Sequence, residues 1–409
     1  MVFEWERSKL PVIANQSADW CGNPPVRGEM YRKTPAKMGI VTVLGGNCDL
    51  VPFNRGIATP VCALARNDSV YSTNTNLPSF FIVPKGLLNC PLSTVNCPLR
   101  IFRVAFRAGV GYNPGKTQKK GDFMDYTACR LCPRGCGVNR AAGELGWCRC
   151  PDTALVAKYM LHYWEEPALA GPGGSGAVFF GGCTLGCQYC QNASISGGSV
   201  GVPTDSAGLR RIFEELIARG AENLDLVTPT QFLPTILPAL EPKLPVSVVY
   251  NCGGYERPET LRALEGKVDV YLPDLKYADA SLARQLSGAE DYFPTAQEAI
   301  VEMFRQTGPV QWDGERVKRG VLIRHLILPG HVENSLKVLD WIGGRFAPGE
   351  VLVSLMRQYT PMGNLPAPMN RRVTEEEYQA VLSWMYLNRL EGFTQDPEAA
   401  DSVYIPDFG

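Results

Sequence analysis

The chain has 409 residues, 45% of them hydrophobic and 20% charged, with a formal net charge of −1. This is the composition of a folded globular protein of one large domain plus extensions, not of a disordered or fibrous chain. No apolar run approaches the ~18 residues of a membrane span, and the first residues lack the basic start and long apolar core of a signal peptide, so the expected location is cytoplasmic with no membrane contact.

The charge balance hides an asymmetry. Residues 1–123 carry 15 Lys/Arg against 7 Asp/Glu, and the rest carry 25 against 34. In this first stretch, short apolar pieces such as Ile40 to Leu44 and Phe80 to Val83 are separated by Gly, Pro, Asn and Ser clusters, with no amphipathic helix of useful length. Its cysteines, Cys21, Cys48, Cys62, Cys90 and Cys97, show no hook spacing and receive no ligand role. A basic Gly/Pro-rich arm can bind nucleic acid, but a disordered extension or upstream sequence translated in frame accounts better for the composition. Nucleic acid is therefore not an expected partner, and residues 1–123 read as a poorly organised extension outside the working part of the protein. Met124 stands directly before the first organised motif, and a start there would leave a chain of the size a compact α/β barrel needs.

Residues 124–170 form a cysteine-rich segment. Cys129, Cys132 and Cys136 are followed by Cys148 and Cys150. Four thiolates in the order C-x2-C-x3-C-x11-C can close a tetrahedral zinc site or carry an auxiliary iron–sulfur cluster, since both want four soft ligands brought together by short turns. Spacing alone does not choose between them, nor between Cys148 and Cys150 as the fourth ligand. Arg134 and Arg140 would offset the negative charge of such a site. Hooks of this kind in a long chain point to a reducing compartment, not a disulfide scaffold. Between this block and the next motif, His162 reads as a packing residue, and Glu165 and Glu166 as solvated.

The stretch Gly181 to Asn192 places Cys183, Cys187 and Cys190 in a C-x3-C-x2-C pattern just after the apolar run Ala177 to Phe180. Three thiolates on one tight loop at a strand end, with no fourth neighbour, fit an iron–sulfur cluster that keeps one iron open to a ligand better than a closed zinc site.

Beyond the loop, β-branched runs alternate with amphipathic helices, the pattern of a parallel sheet with helical crossovers. Leu209, Ile212, Phe213, Leu216 and Ile217 mark the first helix, with Asp205 or Ser206 as cap and Gly220 as terminator. Strands are expected at 177–182, 224–228, 246–251, 268–272, 321–328 and 351–355. Helices are expected near 258–265, 279–287, 295–306 and 333–343. Six such units with right-handed crossovers give an α/β fold, an incomplete (β/α)6 barrel over residues 171–373. Thr374 and Glu377 make a capping box for a closing helix that ends near Gly392, within a C-terminal segment 374–409. In parallel α/β folds the chemistry sits at the carboxyl ends of the strands, where Thr228, Thr230, Asn251, Asp274, Lys276 and Arg324 are found.

The Cys183–Cys190 spacing, with the aromatic Tyr189 before the last cysteine, resembles the signature of the radical S-adenosylmethionine (SAM) superfamily. From about residue 126 the chain resembles the pyruvate formate-lyase activating enzyme-like group, whose Cys-x2-Cys-Pro-Arg-x-Cys-x-Val-Asn-Arg run, Trp-Glu-Glu-Pro segment and Thr-Pro-Thr after the second strand all occur here. The resemblance implies a 4Fe–4S cluster on Cys183, Cys187 and Cys190 whose fourth iron is chelated by SAM. A reduced cluster then splits SAM to methionine and a 5'-deoxyadenosyl radical. It further implies that Tyr189 contacts adenine, that Thr228 and Thr230 serve the SAM amine where relatives have Gly-Gly-Glu, that Asp274, Lys276 and Arg324 surround SAM, and that Cys148 is the matching cysteine of the block. Established activases have a Pro-Tyr-His segment near the sixth strand where this chain has Met356 to Met362, and their cluster insertions follow the SAM loop instead of preceding it. These departures argue for a related activity on a different partner. The expected function is therefore a radical SAM oxidoreductase that installs a glycyl radical on a partner enzyme, fed by a flavodoxin or ferredoxin-type electron donor. The alternatives are radical modification of a small molecule or peptide and, in another class, a non-enzymatic cysteine-rich metal scaffold.

Overall fold

The computed structural model describes the segments 31–33, 41–44 and 47–50 and the chain from 124 to 395 apart from position 199. The chain divides into two compact units, Met1–Thr34 with Gln118–Gly409, and Pro35–Thr117. Strand β1 (Tyr31–Lys33) belongs to the first unit. In the second, β2 (Val41–Leu44) and β3 (Asn47–Leu50) form an antiparallel hairpin pairing Val41 with Leu50 and Leu44 with Asn47. Cys48 lies on that hairpin. Cys21, Cys62, Cys90, Cys97 and the apolar run 80–83 lie outside the described residues, as does the tail beyond 395.

The first unit is built on one large sheet. Its strands are β4 (Ala154–His162), β5 (Ser175–Phe180), β6 (Val202–Thr204), β7 (Asn223–Val227), β8 (Ser247–Cys252), β9 (Val270–Pro273), β10 (Gln311–Asp313), β11 (Arg316–Leu326), β12 (Leu352–Met356) and β13 (Gly392–Gln395). Helices α1 (Ala193–Ser196), α2 (Ser206–Ala218), α3 (Leu233–Ala239), α4 (Pro258–Leu261), α5 (Ala280–Ser287), α6 (Tyr292–Thr307), α7 (Val332–Arg345) and α8 (Glu375–Leu387) lie between them. The strand order is β1-β13-β12-β11-β9-β8-β7-β5-β4-β6, with β10 paired to β11 off this path.

From β5 to β13 the strands pair in parallel. The parallel run therefore contains β13 in addition to the six expected strands. Gly392 opens this four-residue strand and does not mark a helix end, and α8 stops at Leu387. A strand that short carries too few side chains for periodicity to register. At the other edge β4 and β6 add antiparallel pairs, and at the far end β1 joins β13 with Tyr31 opposite Gln395. Of the first 123 residues, Tyr31–Lys33 thus forms an edge strand of the main sheet.

Helix ends follow the local chemistry. The Asp205 carboxylate accepts from Gly208 N at 2.7 Å to cap α2, whereas Ser206 spends its hydroxyl on Thr235 O. Thr374 and Glu377 form the expected reciprocal capping box of α8.

The two faces of the sheet differ. Val178, Leu226, Tyr250, Ile323 and Val353 point into the same buried core as Leu209, Phe213 and Leu216 of α2, each such side chain contributing about 1.5–3 kcal/mol by burial. On the opposite face, Ala177, Asp225 and Val249 lie in register on β5, β7 and β8, and Arg324 lies opposite Ser354 on β11 and β12. A parallel sheet covered on both sides is normally apolar throughout, so the polar residues on this second face mark where the chemistry is placed.

Candidate functional site

Strand β5 runs directly into Gly181 and Gly182. Gly182 has φ +75°, and a Cβ there would stand 2.2 Å from Cys150 Sγ, while one at Gly181 would stand 2.1 Å from Val200 O. Only glycine allows this turn. It delivers Cys183, Cys187 and Cys190 together at the strand end. Cys183 Sγ accepts from Leu185 N at 3.3 Å, and Cys187 Sγ from Ser287 Oγ at 3.2 Å. Burial and then the charge of Cys187 push the Cys183 thiol up, and the same causes push Cys190 up to about 12. Burial thus favours the neutral thiols, and a bound cationic centre would be needed to keep all three as thiolates. Among the described residues no three His, Cys, Asp or Glu side chains converge on a single ion, and an iron–sulfur cluster asks for nothing of the kind, since each thiolate takes its own iron. The donor set fits such a cluster.

Tyr189 is buried. Its hydroxyl accepts from Tyr277 Oη at 2.8 Å, and its ring packs edge-on to Tyr277 and tilted against Tyr359. The ring is thus packed into the core beside the cysteine loop.

Four residues expected at strand ends do converge. Asp274 accepts from Lys276 Nζ at 2.6 Å and from Arg324 Nε at 2.9 Å, and Arg324 also donates to Asn251 Oδ1 at 2.5 Å. Burial opposes the charge on Asp274, but Arg324 and then Lys276 outweigh it and lower its pKa. Burial likewise opposes the Lys276 ammonium, and Asp274 outweighs that.

The sequence reading missed what lies beneath. Glu165 approaches Arg324 at 3.7 Å, Glu166 is 1% exposed, and Asn251 Nδ2 donates to Asp225. Neither glutamate is solvated, because the turn after β4 folds them under the sheet. Burial and then the charge of Glu165 push Glu166 up to about 8 and raise Asp225 well above the usual carboxylate range. Burial thus favours the protonated forms of Glu166 and Asp225 beneath the two cations. The signal available in sequence was Asp225 itself, a carboxylate inside a buried β run.

Thr228 and Thr230 separate. Thr228 has φ +57°, an outlier for a β-branched residue and a point of local backbone strain. Thr230, expected to offer its hydroxyl to a ligand, is buried and donates it to Glu256 at 2.7 Å while accepting from Tyr250 Oη. It supports the loop from behind.

The cysteine block sits beside the loop. Cys129, Cys132, Cys136 and Cys148 line one cavity together with Arg140, Trp147 and Gln231. Cys150 does not. Its buried thiol donates to Cys148 O and Gly181 O. Arg140, 1% exposed, donates to the carbonyls of Cys150, Pro151 and Gln231 and to Cys129 Sγ at 3.7 Å. Arg134 reaches away from the cavity, to the carbonyls of Thr184 and Leu185 in the Cys183 loop and of Ser287 and Gly288 at the end of α5, with Trp147 stacked 3.8 Å from its guanidinium. Of the two arginines expected to offset thiolate charge, Arg140 is placed to do so and Arg134 instead bolts the block to the loop.

No helix among the described residues is long and apolar enough to cross a membrane. A relative, the uncharacterized protein MJ0674 of Methanocaldococcus jannaschii, is 29% identical over 269 residues, covering 62% of this chain and 73% of its own. Among solved structures, SuiB of Streptococcus suis bound to the precursor peptide SuiA is 13% identical, covers 53% of this chain and 47% of its own, and has a TM-score of 0.37. The radical S-adenosylmethionine methyltransferase TsrM of Kitasatospora setae is 12% identical, covers 53% and 51%, and has a TM-score of 0.34. The chain spans about half the length of these two structures, and likeness at that level carries no weight for function. Residues 169–230, which contain β5, the Cys183–Cys190 loop and β7, match the family described as a 4Fe-4S single cluster domain.

Proposed function

We propose that this chain is a radical SAM enzyme whose 4Fe–4S cluster is held by Cys183, Cys187 and Cys190. The observation that carries the reading is the meeting of that cysteine loop, at the carboxyl end of β5, with Asp274, Lys276, Arg324 and Asn251 at and near the carboxyl ends of β8, β9 and β11 on the same sheet. When bound, the cluster and SAM supply a one-electron cleavage that yields a 5'-deoxyadenosyl radical able to abstract hydrogen. The chain's own residues bind and orient. Lys276 and Arg324 supply charge-assisted donors for a ligand carboxylate, and Asp274 and Asn251 supply acceptors for amine or hydroxyl groups. Their present bonds to one another hold them in place for that exchange. Glu165, Asp225 and Glu166 support Arg324 from below, and the Thr228 carbonyl is held by Gln231 Nε2 at 2.8 Å.

The substrate reading favoured by the sequence resemblance is a glycine of a partner protein, converted to a glycyl radical, with electrons from a flavodoxin or ferredoxin-type donor. A second reading, a small polar substrate, is favoured by Glu166 Oε2, Asp225 Oδ1 and Ser354 Oγ, which are buried without a hydrogen-bond partner. Anaerobically reconstituted protein given dithionite and SAM should form 5'-deoxyadenosine and methionine, and Cys187→Ala should abolish both products. Retained cleavage in that variant would refute the assignment. Deleting the gene and following which glycyl-radical enzyme loses its radical signal in whole cells separates the two substrate readings.

A further inference from the structure

The cysteine block is a centre in its own right, and its geometry is more specific than its spacing. Its four thiols line one cavity, the donor set of a cluster that gives each thiolate its own iron as well as of a single zinc ion.

The wall of the cavity has the matching polarity. Arg140 is buried, meets no carboxylate among the described residues, and directs Nη1 at Cys129 Sγ. Trp147 N donates to Cys136 Sγ at 3.3 Å. A Cβ at Gly146 would stand 3.0 Å from the same sulfur, so only glycine lets the backbone pass beside this exposed cysteine. The guanidinium is met by the carbonyls of Cys150, Pro151 and Gln231 and by the Tyr126 ring 4.5 Å away, and its positive charge also faces the thiols, where a four-thiolate cluster would place negative charge.

Cys150 then acquires a role. Its thiol lies between the carbonyl of Cys148, a residue of the block, and the carbonyl of Gly181, two residues before Cys183. Gln231, which lines the cavity, donates from its side chain to Gly181 O and Gly182 O and accepts Arg140 at its own carbonyl. The two cysteine sites are thus joined by short hydrogen-bonded routes through buried protein.

We propose that Cys129, Cys132, Cys136 and Cys148 hold a second 4Fe–4S cluster, closed by protein on all four irons, and that the Cys150 thiol couples it to the cluster of the Cys183 loop. A low-potential one-electron donor gives one electron to the block cluster, which is reduced by one. That electron passes to the loop cluster as the block cluster is reoxidised, with no bond made and no proton moved.

Metal content and electron paramagnetic resonance test this without SAM, so the result stands or falls apart from the SAM-cleavage reading. The full chain reconstituted anaerobically should bind about eight iron and about eight sulfide, without stoichiometric zinc, and Cys132→Ala about four of each. Dithionite-reduced wild type should show a spectrum broadened by interaction between two reduced clusters, collapsing to one uncoupled signal in Cys132→Ala. About four iron with one zinc in the wild type would overturn the cluster, even if the variant fails to fold. Cys150→Ala should keep about eight iron with weaker coupling, and Cys150→Ser, which retains a donor, should restore it. Coupling unchanged in Cys150→Ala would overturn the link.

Discussion

The two cysteine regions are built by opposite means. The Cys183 loop hangs from a strand: β5 fixes where it starts, two glycines fix how it turns, and the sheet supplies its polar neighbours. The block from 124 to 150 contains only one 3-10 turn, Arg140–Ala142, and is held by side chains, Arg140 from inside and Arg134 from its contact with the loop. Regular secondary structure satisfies backbone groups locally, whereas a chain of turns must find partners elsewhere. The block pairs some backbone groups within its own turns, as Cys129 N with Val138 O and Gly137 N with Cys129 O. Two guanidinium groups tie it to the rest, Arg140 to the carbonyls of Pro151 and Gln231 and Arg134 to those of the Cys183 loop and the end of α5.

The comparison breaks most sharply at the chemistry. Cys187→Ala should reduce SAM cleavage to the level of a no-enzyme control, whereas Cys132→Ala should leave SAM binding by the loop site intact, read by equilibrium binding under anaerobic conditions. Loss of SAM binding in both would mean that the regions form one site.

A smaller effect is expected for the block's central bolt. Arg140→Ala removes donors to three buried carbonyls and the counter-charge to the thiols, and should cost about 3 kcal/mol in urea unfolding. Limited proteolysis of that variant should cut within 124–150 before it cuts the strands. Arg134→Ala breaks four bonds at a half-buried position and should cost about 2 kcal/mol. Arg134→Lys should recover only part of it, because an ammonium cannot reach two carbonyl pairs with a fixed fork. If either alanine variant matched wild type in both stability and cleavage pattern, the block would be self-supporting.

A further effect is in titration, and it separates the regions by charge. The block's own acidic residues, Asp125 and Glu144, are exposed, while Glu166 under the sheet is raised to about 8 by burial and then by Glu165. An unfolded glutamate titrates near 4.3. Between roughly pH 4.5 and 8, the folded chain holds a proton that the unfolded chain has released, so this contribution to stability is greatest at the acid end. It falls as pH rises, by up to about 1.4 kcal/mol per pH unit. Asp225 acts in the same direction. Glu377, lowered to about 2 by Arg371, acts oppositely, its contribution being lost as pH drops through the acid range. In Glu166→Gln the urea midpoint should therefore decline less between about pH 5 and pH 8 than in wild type. An identical decline would place the proton elsewhere.

Much of this was legible in the amino-acid sequence, because it is written in local chemistry. The alternation of β runs with helices, the Thr374/Glu377 box, the glycine turn with its three cysteines, and the block's four-cysteine spacing all depend on residues near one another in the chain. Asp274, Lys276, Arg324 and Asn251 were placed together by the rule that parallel strands present their carboxyl ends to one side. What only the tertiary structure decided is which distant groups meet. β13 and the edge strand β1 are stabilised by neighbours far away in sequence. Glu165 and Glu166 look like surface residues until the turn after β4 carries them beneath Arg324. The hydroxyls of Thr230 and Tyr189 meet Glu256, Tyr250 and Tyr277, partners far from them in the chain. Cys148 and Cys150 are alternate residues on one short strand of chain, and only the packing of Gly182 against the Cys150 sulfur turns one toward the cavity and the other toward the loop. A residue type states what a side chain can bond to, and the fold, by setting distances, decides which of those bonds are made.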